Sequence, residues 1–234
     1  MSKYEKLQGF NVVVTGGSKG LGKALVDLFA SRGATVITCS RNMTDRTDKE
    51  GRVLRIDCDL SSQAGAREFA YLALDMTDGI DILVNNASDP GAPGLRDFSE
   101  TPVEDALMAI TVNYLSPIEL IRILLPAMSA RGEAIVVNVT SDVVSNLEIG
   151  WGAYAASKAA LEVFSSIISK ECHESGVHSI LFDPGDMDTD LHRLFLPDDK
   201  GLPAPDISAT KLLEQLNRKW TDICGSRIEA TEND

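Results

Sequence analysis

Short runs of apolar, largely β-branched residues alternate along this chain with longer segments whose apolar positions recur every three or four residues. The first pattern suits strands buried on both faces of a sheet, and the second suits helices with one apolar side. "NVVVTG" predicts a first strand, followed by a helix over about residues 20–32. "ATVITCS" and "RVLRID" predict the second and third strands, "SQAGAREFAYLALDM" a helix, and "DILVNNA" the fourth strand. A long helical region is expected over about 102–128, with a break near Pro117 because proline has no N–H to donate. "EAIVVNVTS" predicts a fifth strand, "YAASKAALEVFSSIISKEC" a helix and "VHSILFD" a sixth strand. The stretch "PGDMDTDLHRLFLPDDKGLPAPD" reads as a polar loop, followed by a helix over about 207–219 and a short seventh strand in "GSRIEA".

Strands each followed by a helix imply an α/β fold, here a Rossmann-type, doubly wound parallel sheet of about seven strands with helices on both faces. No repeat or linker divides residues 1–234, so one dinucleotide-binding and catalytic domain is expected, with a short lid at about 186–207. In such sheets ligands bind beyond the carboxyl ends of the strands, near the point where strand order reverses.

Composition narrows the function. A formal net charge of −13 argues against nucleic acid as a partner, since phosphate backbones bind basic surface. No apolar run in the sequence reads as a membrane span, and the opening residues lack the pattern of a secretory signal, so a cytoplasmic protein is expected. Cys39, Cys58, Cys172 and Cys224 are widely spaced and are expected as free thiols. His173, His178 and His192 form no metal-type pattern with them, and no metal is expected.

The first strand ends in "TGGSKGLG", residues 15–22, and opens directly into a helix. Glycines there permit a sharp turn and close approach to an anion, and the helix start favours phosphate. Gly16, Gly20 and Gly22 do not have the G-x-G-x-x-G spacing, so a ligand-free glycine turn is the competing reading. After the second strand comes "CSRN". An acid in this position would accept hydrogen bonds from an adenosine ribose, and none is present. Ser40 is neutral, Arg41 follows, and Lys19 approaches from the glycine turn, which together suit a 2′-phosphate. NADP(H) is therefore expected over NAD(H), with NAD(H) still possible; a solvated Arg41 is the competing reading.

Tyr154 and Lys158 stand four apart on a predicted helix and share a face. A nearby ammonium would lower the phenol's pKa and fit the tyrosine for proton exchange with an alcohol or alkoxide. Ser141 ends the fifth strand, thirteen residues before Tyr154. With these residues in order, the chain resembles the short-chain dehydrogenase/reductase family along nearly its whole length. The pattern T-G-x-x-x-G-x-G falls on Thr15, Gly16, Gly20 and Gly22. N-N-A-G falls on Asn85, Asn86 and Ala87, with Ser88 in place of the glycine. Asn113, Ser141, Tyr154 and Lys158 match the catalytic positions, and Pro184-Gly185 with Thr189 matches the turn after the sixth strand.

The resemblance implies Tyr154 as general acid/base and Ser141 as the donor to the substrate oxygen. It implies that Lys158 holds the nicotinamide ribose and lowers the tyrosine pKa, and that Asn113 positions a relay water. Gly16, Ser18, Lys19, Gly20, Leu21 and Gly22 would surround the phosphates, and Ser40 and Arg41 the 2′-position. Asp59 and Leu60 would lie by the adenine, Asn86 by a ribose, and Met187, Pro184, Gly185 and Thr189 by the nicotinamide. The expected activity is that of an NADPH-dependent carbonyl reductase or secondary-alcohol dehydrogenase on a small neutral ketone, aldehyde or alcohol. A cofactor-sensing regulatory or structural protein on the same scaffold is the alternative. A homodimer or homotetramer is implied through the helices carrying Asn113 and Tyr154. Pocket walls are expected from residues 88–98, 143–151 and 186–202, with Leu147, Trp151 and Phe195 as apolar candidates. The acids Asp142, Asp186, Asp188, Asp190, Asp198 and Asp199 read as solvated loop charges; if the lid acids face substrate, they would discourage anions.

Overall fold

Seven apolar runs become seven strands: β1 (Asn11–Thr15), β2 (Thr35–Ser40), β3 (Val53–Asp57), β4 (Ile82–Asn85), β5 (Ala134–Val139), β6 (Val177–Asp183) and β7 (Arg227–Glu229). They form one parallel sheet in the order β3-β2-β1-β4-β5-β6-β7. The order reverses between β1 and β4, which places a crevice at their carboxyl ends. The structure, a computed structural model, describes residues 7–41, 43, 51–91 and 94–230, with the Phe98 side chain outside the description. Residues 1–6, and Ala92, Pro93 and the Phe98 side chain of the expected pocket wall, thus lie outside the described residues.

Helices cover both faces. On one side α1 (Gly20–Ser31), α8 (Pro205–Leu216) and α9 (Trp220–Ile223) bury Leu25, Phe29, Leu212, Leu216 and Trp220 over Val12, Val14 and Ile180. On the other, α2 (Gln63–Asp75), α4 (Ser116–Ser129) and α6 (Gly152–Glu171) bury Phe69, Leu124, Met128 and Ile168 over Val13, Ile37, Leu83 and Val136. Every residue of β5 and β6 is buried, which explains why these strands read as mostly apolar runs instead of alternating ones.

The long helical region is not broken at Pro117. It runs as α3 (Val103–Ile110), a π-helical turn (Thr111–Leu115) and α4. In an α-helix the residue at 117 would donate to the carbonyl of Asn113, and proline has no such donor. The wider turn just before it is consistent with that loss, and it carries Asn113. Residues 103–129 are long and apolar enough to cross a bilayer by length and composition alone. Here Leu120, Ile121, Leu124 and Met128 spend that apolar surface on the sheet-side core.

The polar stretch after β6 is not all loop. It holds α7 (Asp190–Phe195), started by Thr189, whose Oγ1 accepts from the His192 N–H at 3.1 Å. Two further short helices were missed in the sequence, α5 (Val143–Asn146) and α9. One- and two-turn helices among prolines and acids give too little periodicity to detect.

A chain of polar side chains threads the otherwise apolar interior. Asn85 Nδ2 donates to Asn138 Oδ1 at 2.8 Å, Asn138 Nδ2 donates to Ser165 Oγ at 3.1 Å, and Ser165 shares a hydrogen bond of 2.9 Å with Ser179. It ties β4, β5, α6 and β6 together beneath the crevice.

Candidate active site

One cavity of about 980 Å³ opens along the carboxyl ends of the strands. Every expected site residue lines it except Asn113, which sits behind its wall.

The glycine turn forms one end. Gly16 and Gly20 have φ values of 74° and 54°, a left-handed backbone that disfavours other residues. A Cβ on Gly22 would lie 2.2 Å from the carbonyl oxygen of Gly16, so the helix start packs directly on the turn. α1 has no side-chain cap on its first amides, which leaves them for an anion. Gly17, which lies outside the motif, is equally constrained: a Cβ there would meet Thr38 Oγ1 at 2.0 Å. Asn86 lines the cavity while its side-chain amide braces the turn. Its Nδ2 donates to the carbonyls of Thr15 (2.8 Å) and Gly16 (3.4 Å), locking β4 to the turn. Thr15 Oγ1 in turn accepts from the N–H groups of Asn86 and Ala87, each at 3.0 Å. These fixed, side-chain-free surfaces suit a pyrophosphate, and the residues present fit a dinucleotide.

At the neighbouring end, Ser40, Arg41, Asp59 and Leu60 line the cavity with Lys19. No acid ends β2. The Asp59 carboxylate accepts from the Ser61 N–H at 2.9 Å, which lowers its pKa, with a smaller contribution from Arg41. Lys19 pairs across the mouth with Asp190 of α7 at 3.6 Å. Cys39 and Cys58 are free thiols beneath this end. Burial pushes the Cys39 thiol up, and its hydrogen bond lowers that of Cys58.

The catalytic candidates meet at the other end. Lys158 is buried, with Nζ donating to the Val139 carbonyl at 2.9 Å and lying 5.6 Å from the centroid of the Tyr154 ring. Desolvation lowers its pKa to about 8, opposed by the carboxylate of Asp183. The Tyr154 phenol moves the other way, up to about 12, because its hydroxyl is desolvated; Asp183 and Asp142 add to the rise, while hydrogen bonds with Ser88 and Ser141 oppose it. Burial thus moves the phenol opposite to the direction a neighbouring cation would give. Ser141 Oγ donates to Asp142 Oδ1 at 3.1 Å, and Asp142 also accepts from Asn146 at 2.8 Å, so this acid is partnered within its own turn.

Asn113 braces the wall. Its Oδ1 accepts from the Asp89 N–H (2.8 Å) and Ser88 Oγ (3.2 Å), while Nδ2 donates to the Asp89 carbonyl (2.7 Å) and Ser157 Oγ (2.8 Å). Its side chain is thus fully engaged within the protein, joining the loop after β4 to α6.

The lid segment folds over the cavity with its acids paired. Asp186 and Asp199 flank His192 at 3.4 and 3.0 Å, and Arg193 pairs with Asp188 and Asp190. Trp151 stacks on Phe195 at 4.6 Å and on Tyr154 at 5.6 Å, making an aromatic wall. Leu147 does not join it: it ends α5 with a φ of 53° and is largely exposed.

Asp183 was missed. It ends β6, is buried, and bonds Arg227 Nη2 at 2.7 Å and the Gly185 N–H at 3.0 Å. An acid at a strand's carboxyl end, next to the matched Pro-Gly turn, was the available signal.

Residues 11–199 match the family model described as short chain dehydrogenase. The chain belongs to the short-chain dehydrogenase family. This is a family of oxidoreductases acting on CH–OH and keto groups. The chain is 32% identical over 220 residues to a rhamnolipids biosynthesis 3-oxoacyl-[acyl-carrier-protein] reductase from Pseudomonas aeruginosa, covering 89% of this chain and 84% of that one. It is 34% identical over 181 residues to a fatty acyl-CoA reductase from Mycobacterium tuberculosis, covering 74% of this chain and 61% of that one. Its structure is similar to that of a Pseudomonas aeruginosa RhlG/NADP active-site complex, with a TM-score of 0.82, 27% identity, and coverage of 98% and 97%.

Proposed function

We propose that this short-chain dehydrogenase is an NADPH-dependent carbonyl reductase for small neutral ketones or aldehydes, able to run in reverse on secondary alcohols. One observation carries the reading: the Tyr154 phenol, with Lys158 Nζ 5.6 Å from its ring centroid, shares a single cavity with an uncapped glycine turn. Bound nicotinamide would supply the hydride equivalent to the carbonyl carbon. The residues named above account for the rest. The glycine turn and α1 would bind the phosphates, Lys158 would hold a ribose, and Ser141 would turn its hydroxyl from Asp142 to the substrate oxygen. Tyr154 gives its proton to that oxygen as negative charge develops there. A pKa of about 12 keeps the phenol protonated at neutral pH, the state that reduction requires. Trp151 and Phe195 shield the site from water, and residues 186–207 act as the lid.

Preference for NADPH is supported by the missing acid at the end of β2 and by Arg41 and Lys19 on the cavity wall. The solved relative with bound NADP agrees with it. The test compares kcat/KM for NADPH and NADH in the wild type and in Arg41→Asp. The wild type is expected to favour NADPH and the variant to lose that preference; a wild type that favours NADH refutes the assignment. A homodimer through α3 and α6 is part of the proposal. Val103, Leu107, Val163 and Ile167 on these packed helices are exposed, an apolar surface suited to a second copy. Light scattering that finds a monomer refutes it.

A further inference from the structure

Ser141 has one hydroxyl proton to give, and its neighbours fix where that proton goes. The Ser141 oxygen accepts from the Val143 N–H at 3.3 Å, and its hydrogen is donated to Asp142 Oδ1 at 3.1 Å. The carboxylate is itself held. Asn146, one turn along α5, donates its backbone N–H to the Asp142 carbonyl at 2.9 Å and its Nδ2 to Asp142 Oδ2 at 2.8 Å. Ser141, Asp142 and Asn146 line the cavity together with Tyr154 and Trp151. The hydroxyl that reduction needs at the substrate oxygen is thus bonded to a carboxylate, a stronger acceptor than a ketone oxygen. A ketone that offers only its carbonyl must break this charge-assisted bond, and it leaves Asp142 one donor short.

We propose that Asp142 is a specificity-determining residue that selects ketones carrying a hydroxyl on the carbon next to the carbonyl. The inference deepens the reductase reading above and rests on it. A substrate has two atoms to meet, Ser141 Oγ and Asp142 Oδ1, and they lie 3.1 Å apart, a spacing that oxygens on adjacent carbons can span together. Ser141 turns its proton from Asp142 to the carbonyl oxygen, and the substrate hydroxyl donates to Asp142 Oδ1 in its place. Ser141 and Asp142 each end with as many hydrogen bonds as they began with, and no covalent bond changes in the exchange. Asn146 keeps the carboxylate in position throughout. Asp183 and Asp186, acids of the same cavity, are engaged elsewhere: Asp183 accepts from Arg227 and the Gly185 N–H, and Asp186 pairs with His192. Asp142 differs from both in being bonded to the hydroxyl that the reaction uses.

Initial rates of NADPH oxidation with hydroxyacetone, methoxyacetone and 2-butanone test this. Hydroxyacetone has the donor, methoxyacetone has an oxygen in the same place without a proton, and 2-butanone has a methyl group in place of the hydroxyl. The wild type is expected to show a kcat/KM for hydroxyacetone at least about tenfold above that for either other ketone, the discrimination given by one charge-assisted hydrogen bond. In Asp142→Ala that advantage should fall to about threefold or less, while kcat/KM for 2-butanone holds or rises because Ser141 is released. These ratios do not depend on how much of a preparation is folded, and structural damage alone lowers all three ketones together. A smaller advantage in the wild type, or one that survives in Asp142→Ala, overturns the role of Asp142 and leaves the reductase reading intact. Oxidation of NADPH with none of the three ketones, or undiminished oxidation in Tyr154→Phe, overturns the reductase reading, and the selection by Asp142 falls with it.

Discussion

Replacing Lys158 by Met tests the electrostatics of the site without needing a substrate. The buried ammonium has its pKa lowered from 10.5 to about 8 by desolvation. That difference corresponds to about 3 kcal/mol of destabilisation of the charged form on folding. The direction follows from proton counting. Between pH 8 and 10.5 the folded protein has released this proton while the unfolded chain still holds it, so unfolding takes up a proton and stability rises with pH. The penalty is nearly complete at pH 7, and by pH 9 about 1 kcal/mol of it is relieved. Methionine has a similar length and no charge, so the variant loses this slope. It also loses the bond to the Val139 carbonyl, about 1 kcal/mol at every pH. Urea unfolding of both proteins at pH 7, 8 and 9 is the assay, because other titrating groups cancel in the difference. The wild type should gain about 1 kcal/mol on the variant between pH 7 and 9. A difference constant to within about 0.3 kcal/mol would show that the ammonium is not desolvated, and the reasoning would fail.

Three further outcomes are expected. Tyr154→Phe should lower kcat by about a hundredfold to ten-thousandfold while leaving NADPH affinity within a few-fold, measured by fluorescence titration. Gly22→Ala should weaken NADPH binding by at least about tenfold, since the new methyl would fall on the Gly16 carbonyl and the Asn86 amide. Arg227→Ala should destabilise the fold by about 3 kcal/mol at pH 8, because it leaves the buried Asp183 without its cation. Burial already raises the Asp183 pKa, so protonation at lower pH relieves the variant. Its melting temperature should therefore approach that of the wild type as pH falls from 8 towards 5.

The central strands were legible because both faces of the sheet are covered there, so β1, β4, β5 and β6 appear as mostly apolar, fully buried runs. The phosphate turn and the Ser141, Tyr154 and Lys158 set were legible because each stands at a strand end or a fixed helical spacing. Three things were not. The short helix carrying His192 and Phe195 is hidden among prolines and acids, where its capping threonine gives too weak a signal alone. The protonation of Tyr154 depends on burial, which spacing cannot report; a lysine four residues away suggested a shift in the opposite direction. The work of Asn86 and Asn113 depends on which partner each amide finds, and both partners arrive from distant segments. Asp183 was readable as a strand-end acid, but its partner Arg227 comes from the short last strand, 44 residues later.

The interior ladder from Asn85 to Ser179 has an effect on alignment. Strands of valine and isoleucine offer nearly the same surface when displaced by two residues, so oil alone defines their relative positions weakly. Two carboxamides and two hydroxyls that must meet one another admit a single alignment. The positions fixed in this way set the heights at which the Ser88 and Ser141 segments emerge on either side of the phenol. A vernier for the reacting groups is thus set deep in the core, and a substitution such as Asn138→Val, far from any substrate, would blur chemistry at the rim.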